Sequence, residues 1–176
     1  MLRISSRLVL GLAVLCGLVL AGGCDKSGLS MTKKDSVPQV SLDGHAAGKS
    51  MFKKAVKGDD GILEIGEPVS VAPVFSFELK DPAKYGEITN TIINIFEADG
   101  AQAIFAVFPV DQKVETLMKA GEAYNLGAPP DNLKVVNLRN EMVEGVQLQP
   151  GTKYKMTFTI AGSKKSDTAV LTFKTQ

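Results

Sequence analysis

The stretch Val146–Ile160, VQLQPGTKYKMTFTI, constrains the fold more than any other part of the chain. At period two it places Tyr154, Met156, Phe158 and Ile160 on one side and Lys153, Lys155, Thr157 and Thr159 on the other. That alternation marks an antiparallel strand with one buried face. Pro150-Gly151-Thr152 ahead of it is a turn, since proline fixes φ and glycine tolerates backbone that other residues avoid. Leu148 enters this bend and Tyr154 leaves it, spelling L-x-P-G-T-x-Y.

The neighbouring segments read the same way. Ile62–Ile65 forms a short strand, and Val69, Val71, Phe75, Phe77 and Leu79 share a parity in a longer one, where Pro68 and Pro73 imply an edge or a bulge. Asp81-Pro82 through Gly86 turns the chain. Thr89–Ala98 and Gln102–Val110 flank Asp99-Gly100, a strong hairpin signal. Both arms carry apolar residues on both parities: Ile92, Ile93, Ile95 and Phe96, then Ile104, Phe105, Val107 and Phe108. A sandwich wets its outer face, so something should lie over this one. Asp111 can cap a short helix whose Val114, Leu117 and Met118 form one stripe, ended by Gly121. Either this insertion packs on the hairpin or it is an exposed patch for a partner. The loop Gly121–Asn132 is long for a sandwich connection, and long loops on rigid scaffolds often carry recognition. Leu117, Met118, Tyr124 and Leu126 of the 111–132 insertion are the expected partner surface, together with an exposed strand edge. Leu133–Leu138 and Met142–Leu148 add short strands, and Thr168–Lys174 closes the fold with Ala169, Leu171 and Phe173 inward. The expectation is an all-β, two-layer antiparallel sandwich of seven or eight strands over residues 62–176, with a short helical insertion near 111–121. No second copy of the L-x-P-G-T-x-Y unit appears, so this is one domain and not an array.

Leu148, Pro150, Gly151, Thr152 and Tyr154 resemble the corner between the E and F strands of fibronectin type III and bacterial Ig-like domains. The resemblance implies a tyrosine ring in the core whose hydroxyl bonds upstream backbone, bracing a crossover between sheets. Val74-Phe75-Ser76-Phe77 before Asp81-Pro82, Ile93-Asn94-Ile95 before Asp99-Gly100, and the closing Val170–Thr175 with its F-x-T end fit the bacterial Ig-like version. The likeness runs from Glu67 to Gln176. With no tryptophan and no cysteine pair in that span, the chain departs from the antibody type. The family implies contact with protein or glycan, and names neither.

The amino end reads as an address. Arg3 and Arg7 precede the apolar run Leu8–Leu20, and Ala21-Gly22-Gly23 leads into Cys24. A basic start, a short apolar core and small residues make a secretory signal over residues 1–23, too short for a spanning helix. The Cys24 context resembles the bacterial lipobox, with Ala21 in the slot usually held by leucine; an ordinary signal peptide with an incidental cysteine is the other reading. Lipidation of Cys24 explains why an exported chain should keep a single cysteine after its leader, which takes Cys16 with it. A multiply acylated cysteine is a durable anchor. Asp25 leaves inner and outer membrane both open. Residues 24–61, rich in Ser, Gly, Lys and Asp, read as a flexible tether. Within it, the basic stretch Lys49–Lys57 is a solvated linker or a contact for anionic headgroups. Asp59-Asp60-Gly61 reads as an acidic turn, since the EF-hand spacing is missing.

Charge and missing motifs remove whole classes. The leader holds two arginines and no acid, so the rest carries 18 basic against 19 acidic residues. Nucleic-acid binders show a concentrated basic footprint instead. His45 is the one histidine, so Ser-His-Asp and Cys-His sites lack a partner on the folded body, and no metal or cofactor is expected. The leading expectation is a non-enzymatic binding or structural module, lipid-anchored in the cell envelope, with a protein or glycan partner. An accessory subunit of an envelope complex docking through the hairpin 92–108 is the alternative, and a hydrolase using carboxylates such as Glu141 and Glu144 the remote one. Oligomeric state is open.

Overall fold

Two long strands in sequence, 153–162 and 166–174, pair with each other inside the larger of two sheets. The computed structural model describes residues 37–49, 62–111 and 113–176. Its strands in chain order are β1 (Gln39–Leu42), β2 (His45–Ala46), β3 (Gly48–Lys49), β4 (Leu63–Glu64), β5 (Val74–Glu78) and β6 (Ile88–Glu97). They continue with β7 (Phe105–Pro109), β8 (Ala123–Asn125), β9 (Leu133–Asn137), β10 (Met142–Val143), β11 (Lys153–Gly162) and β12 (Ser166–Lys174). The leader, Cys24, Asp59-Asp60-Gly61 and the basic stretch from Ser50 to Lys57 lie outside the described residues.

The chain is an all-β protein of two mostly antiparallel sheets in a sandwich-like arrangement. The small sheet runs β2-β1-β5-β8 and the large one β10-β9-β7-β6-β11-β12-β4-β3. The exceptions to antiparallel pairing are β4 on β12 and the Val69–Thr175 bridge. Alternation decides which side is buried. Tyr154, Met156, Phe158 and Ile160 of β11 face the core, as do Ala169, Leu171 and Phe173 of β12. From the small sheet, Phe75 and Phe77 of β5 meet them, with ring centroids 5.0 and 4.6 Å from that of Phe158. Each such buried ring contributes about 1.5–3 kcal/mol, and these side chains join in one core cluster.

The structure corrects the sequence reading in four places. The tether does not extend to residue 61: Gln39–Leu42 pairs with β5, and Val40 and Leu42 are buried. Asp43 and Gly44 both have positive φ, the geometry of a tight hairpin turn, and the Asp43 carboxylate accepts the N–H groups of Ser70 and Val74 at 2.6 and 2.7 Å. Among the described residues twelve strands replace seven or eight, because β2, β3, β4 and β10 are two-residue pairings. The hairpin after β6 forms, but its second arm starts at Phe105 and not at Gln102, which lengthens the loop: Gly100 N–H bonds Glu97 O and Ile104 N–H bonds Ile95 O. Finally, the helix near 111–121 is a single 3-10 turn, Val114–Thr116, after which Leu117 is extended. The N-cap position of this turn is Lys113 and not the expected Asp111, whose Oδ1 braces it from two residues upstream by taking the Lys113 N–H at 3.1 Å and the Thr116 hydroxyl at 2.7 Å. Those two bonds hold its carboxyl below the ordinary carboxylate range.

Candidate functional site

At the bend before β11 the expected corner is built bond by bond. Val146 N–H bonds Leu126 O and Leu148 N–H bonds Val71 O, so the chain first runs beside the small sheet. Gly151, with φ +68, turns it, and β11 then enters the large sheet. Leu148 and Tyr154 are buried while Pro150 and Gly151 stay exposed. The Tyr154 hydroxyl accepts the Gln149 N–H at 2.9 Å, and its ring lies 5.8 Å from that of Phe173. Thr175 closes the bend from the last strand: its hydroxyl donates to Gln149 O at 2.6 Å and accepts the Thr152 N–H at 3.0 Å. That clamp accounts for the threonine of the F-x-T ending.

A second bend repeats the device. Met118-Lys119-Ala120-Gly121-Glu122-Ala123-Tyr124 carries an apolar residue, a glycine and a tyrosine at the spacing of Leu148, Gly151 and Tyr154. Gly121 has φ +82, and the Tyr124 hydroxyl accepts the Lys119 N–H at 2.6 Å while donating to Glu122 Oε2 at 2.8 Å. The crossing runs the other way. Met118 N–H bonds Thr91 Oγ1 on β6, and Gly121 N–H bonds Phe77 O on β5, so the chain leaves the large sheet for the small one. This copy departs from L-x-P-G-T-x-Y at three positions: methionine replaces leucine, alanine replaces proline and glutamate replaces threonine.

That geometry overturns the expected partner surface. Leu117, Met118, Tyr124 and Leu126 are 3%, 2%, 4% and 0% exposed; they close one end of the core and offer nothing to a partner. The 111–121 segment meets the hairpin only on its core side, where Met118 N–H bonds the buried Thr91 of β6; its other bonds go to Asn132 and β5, and none of these reaches the outer face. The outer face of the large sheet therefore keeps its apolar side chains. Val136 pairs with both Met142 and Ala106, and Phe108 pairs with Lys134. Ile92, Phe96, Phe108 and Val136 are half-buried, and Met142 is 65% exposed. The Lys155 ammonium sits 4.9 Å above the Phe96 ring and shields that end of the row.

Tyr85 is the third buried tyrosine. It donates to Asp167 Oδ2 at 2.8 Å, and Lys165 Nζ lies 2.6 Å from the same oxygen. Burial, then the Asp167 carboxylate, raises its pKa. This trio pins the turn at residues 82–86 to the β11–β12 hairpin. Among the described residues no three His, Cys, Asp or Glu side chains gather to hold a metal ion, and His45 is exposed on β2. Glu141 accepts the Asn137 side-chain amide at 2.9 Å in the β9–β10 turn, and both it and Glu144 are exposed.

The sheets and the corner define the class, an all-β sandwich-like protein of two sheets. Compared with protein-family models, curated proteins and solved structures, the chain finds no match.

Proposed function

We propose that the chain is a lipoprotein, anchored through Cys24, whose Ig-like sandwich is a non-enzymatic binding module in the cell envelope. The Ig-like reading rests on strand order: β6, β11 and β12 lie side by side as C, F and G strands do, β5 takes the place of B, and the corner enters β11 from the opposite sheet. The thirteen residue-to-residue steps from Cys24 to Val37 reach at most about 45 Å when fully extended, which keeps the domain near the lipid.

The observation that carries the binding role is the apolar outer face of β6, β7, β9 and β10. An outer sheet face is ordinarily wet, and a contiguous apolar row on one marks a protein contact. The partner is a protein subunit of the envelope, seated across Ile92, Phe108, Val136 and Met142. A photo-crosslinking residue placed at Phe108 or Met142 in intact cells should capture one protein, identified by mass spectrometry. The same residue at Thr168, on the polar part of the same sheet, should not. Equal capture at all three positions, or none, would sink the reading, and retention of Cys24→Ala in the membrane fraction would sink the anchor.

A further inference from the structure

A cleft of about 300 Å³ opens at the corner end of the large sheet, lined by Glu64, Gly66, Ala98, Lys153, Thr172 and Lys174. Lys153 and Lys174 are direct cross-strand partners in the β11–β12 ladder, and both are exposed. Like charges directly opposite each other destabilise a sheet. Among the described residues neither lysine has a carboxylate within ion-pair distance. Lys155, the third cation of this end, is turned toward Phe96 and the Gly100 carbonyl, 3.5 Å from Nζ. Glu64 stands beside Thr172 on the parallel pairing of β4 with β12, and a side chain on Gly66 would meet open space.

We propose that this cleft binds the free carboxyl terminus of a peptide. The two ammonium groups and the Thr172 hydroxyl are donors for one carboxylate, and Glu64 is an acceptor for the N–H beside it. A lining with two cations and one carboxylate is rich in donors, which suits a terminal peptide unit better than an acidic sugar, whose several hydroxyls need more acceptors. The volume sits at the low end of ligand sites, which limits the guest to the end of a chain. A bound carboxylate also relieves the repulsion between the lysines. The inference goes beyond the docking face and depends on neither the anchor nor that partner.

The test is titration of the full chain, in a non-ionic detergent, with N-acetyl-alanyl-alanine, its carboxamide and glucuronate. The free acid should bind saturably, in the millimolar range or tighter, and weaken with added salt. The carboxamide, and the Lys153→Gln/Lys174→Gln variant with the free acid, should each bind about tenfold more weakly, as expected for two lost exposed ion pairs. That variant should melt no lower than the parent, since it removes a like-charge pair, and Lys153→Arg should keep the affinity. Equal binding of the carboxamide, glucuronate binding as well as the peptide acid, or undiminished affinity in the double variant would each overturn the proposal.

Discussion

Two bends in this molecule use one device for opposite crossings. In each, a tyrosine hydroxyl accepts the backbone N–H five residues upstream, Gln149 to Tyr154 and Lys119 to Tyr124. In each, a glycine three residues before the tyrosine takes positive φ, and its N–H bonds a neighbouring carbonyl, Gln176 O for Gly151 and Phe77 O for Gly121. They differ in what surrounds the hydroxyl. Tyr154 is backed by the Thr175 clamp, whereas the Tyr124 hydroxyl donates a hydrogen bond to Glu122. The comparison teaches that the fastening depends on a glycine and a tyrosine at fixed spacing. The proline is an aid: it restricts the unfolded chain before the Gly151 bend, and the Gly121 bend forms without it.

Deleting the rings tests whether the two fasteners are equal. Tyr154→Ala and Tyr124→Ala should each cost about 3–5 kcal/mol, the range for a buried aromatic, read from urea unfolding midpoints. A loss under about 1 kcal/mol at Tyr124 would break the parallel and leave one true corner. Alanine at the bends is the next largest effect. Gly151→Ala meets no atom within 4 Å, and Gly121→Ala meets Glu78 Oε1 at an ordinary 3.7 Å. Space is therefore not limiting, and each substitution should cost only the left-handed backbone, about 1–2 kcal/mol. Unequal costs would show that one bend can relax its backbone and the other cannot.

Sequence reading found one bend and missed the other for a physical reason. The strand after Gly151 is ten residues long and alternates without a break, so Tyr154 is placed by its neighbours. The strand after Gly121 has three residues, too few for a period to appear. The helix expected at 111–121 failed on the same stretch, because tertiary bonds outbid local preference: the Asn132 amide takes Thr116 O, and Thr91 takes the Met118 N–H. The β1–β2 hairpin hid in a polar composition, although Val40 and Leu42 alternate and Asp43-Gly44 is itself a hairpin signal. The apolar outer face was legible as residues on both parities, but which parity was buried was not. The cleft was not legible at all, since the opposition of Lys153 and Lys174 exists only in the β11–β12 register.

Removing the hydroxyls alone sharpens the comparison further. Tyr154→Phe leaves the Gln149 N–H without its acceptor in a part-buried position and should cost about 1–2 kcal/mol. Tyr124→Phe should cost about the same by thermal or urea unfolding, because its bond to the Lys119 N–H is part-buried as the Gln149 bond is, and Lys119 and Gln149 are both exposed.

The smallest effect separates the bends by pH. Burial above all, with the Glu122 carboxylate adding to it and the Lys119 N–H opposing, pushes the Tyr124 pKa up to about 12, against about 10 in the unfolded chain. The folded state therefore holds the proton more tightly. The stabilisation is complete below pH 10 and is lost as pH rises toward 12. Tyr85 moves in the same direction, so total alkaline instability cannot be assigned to one residue. A difference measurement can: the stability gap between the parent and Tyr124→Phe should narrow by about 0.8 kcal/mol between pH 9 and pH 10.5. A gap that stays constant would mean that the phenol is not shielded as the second bend requires, and that Glu122 has turned out into water.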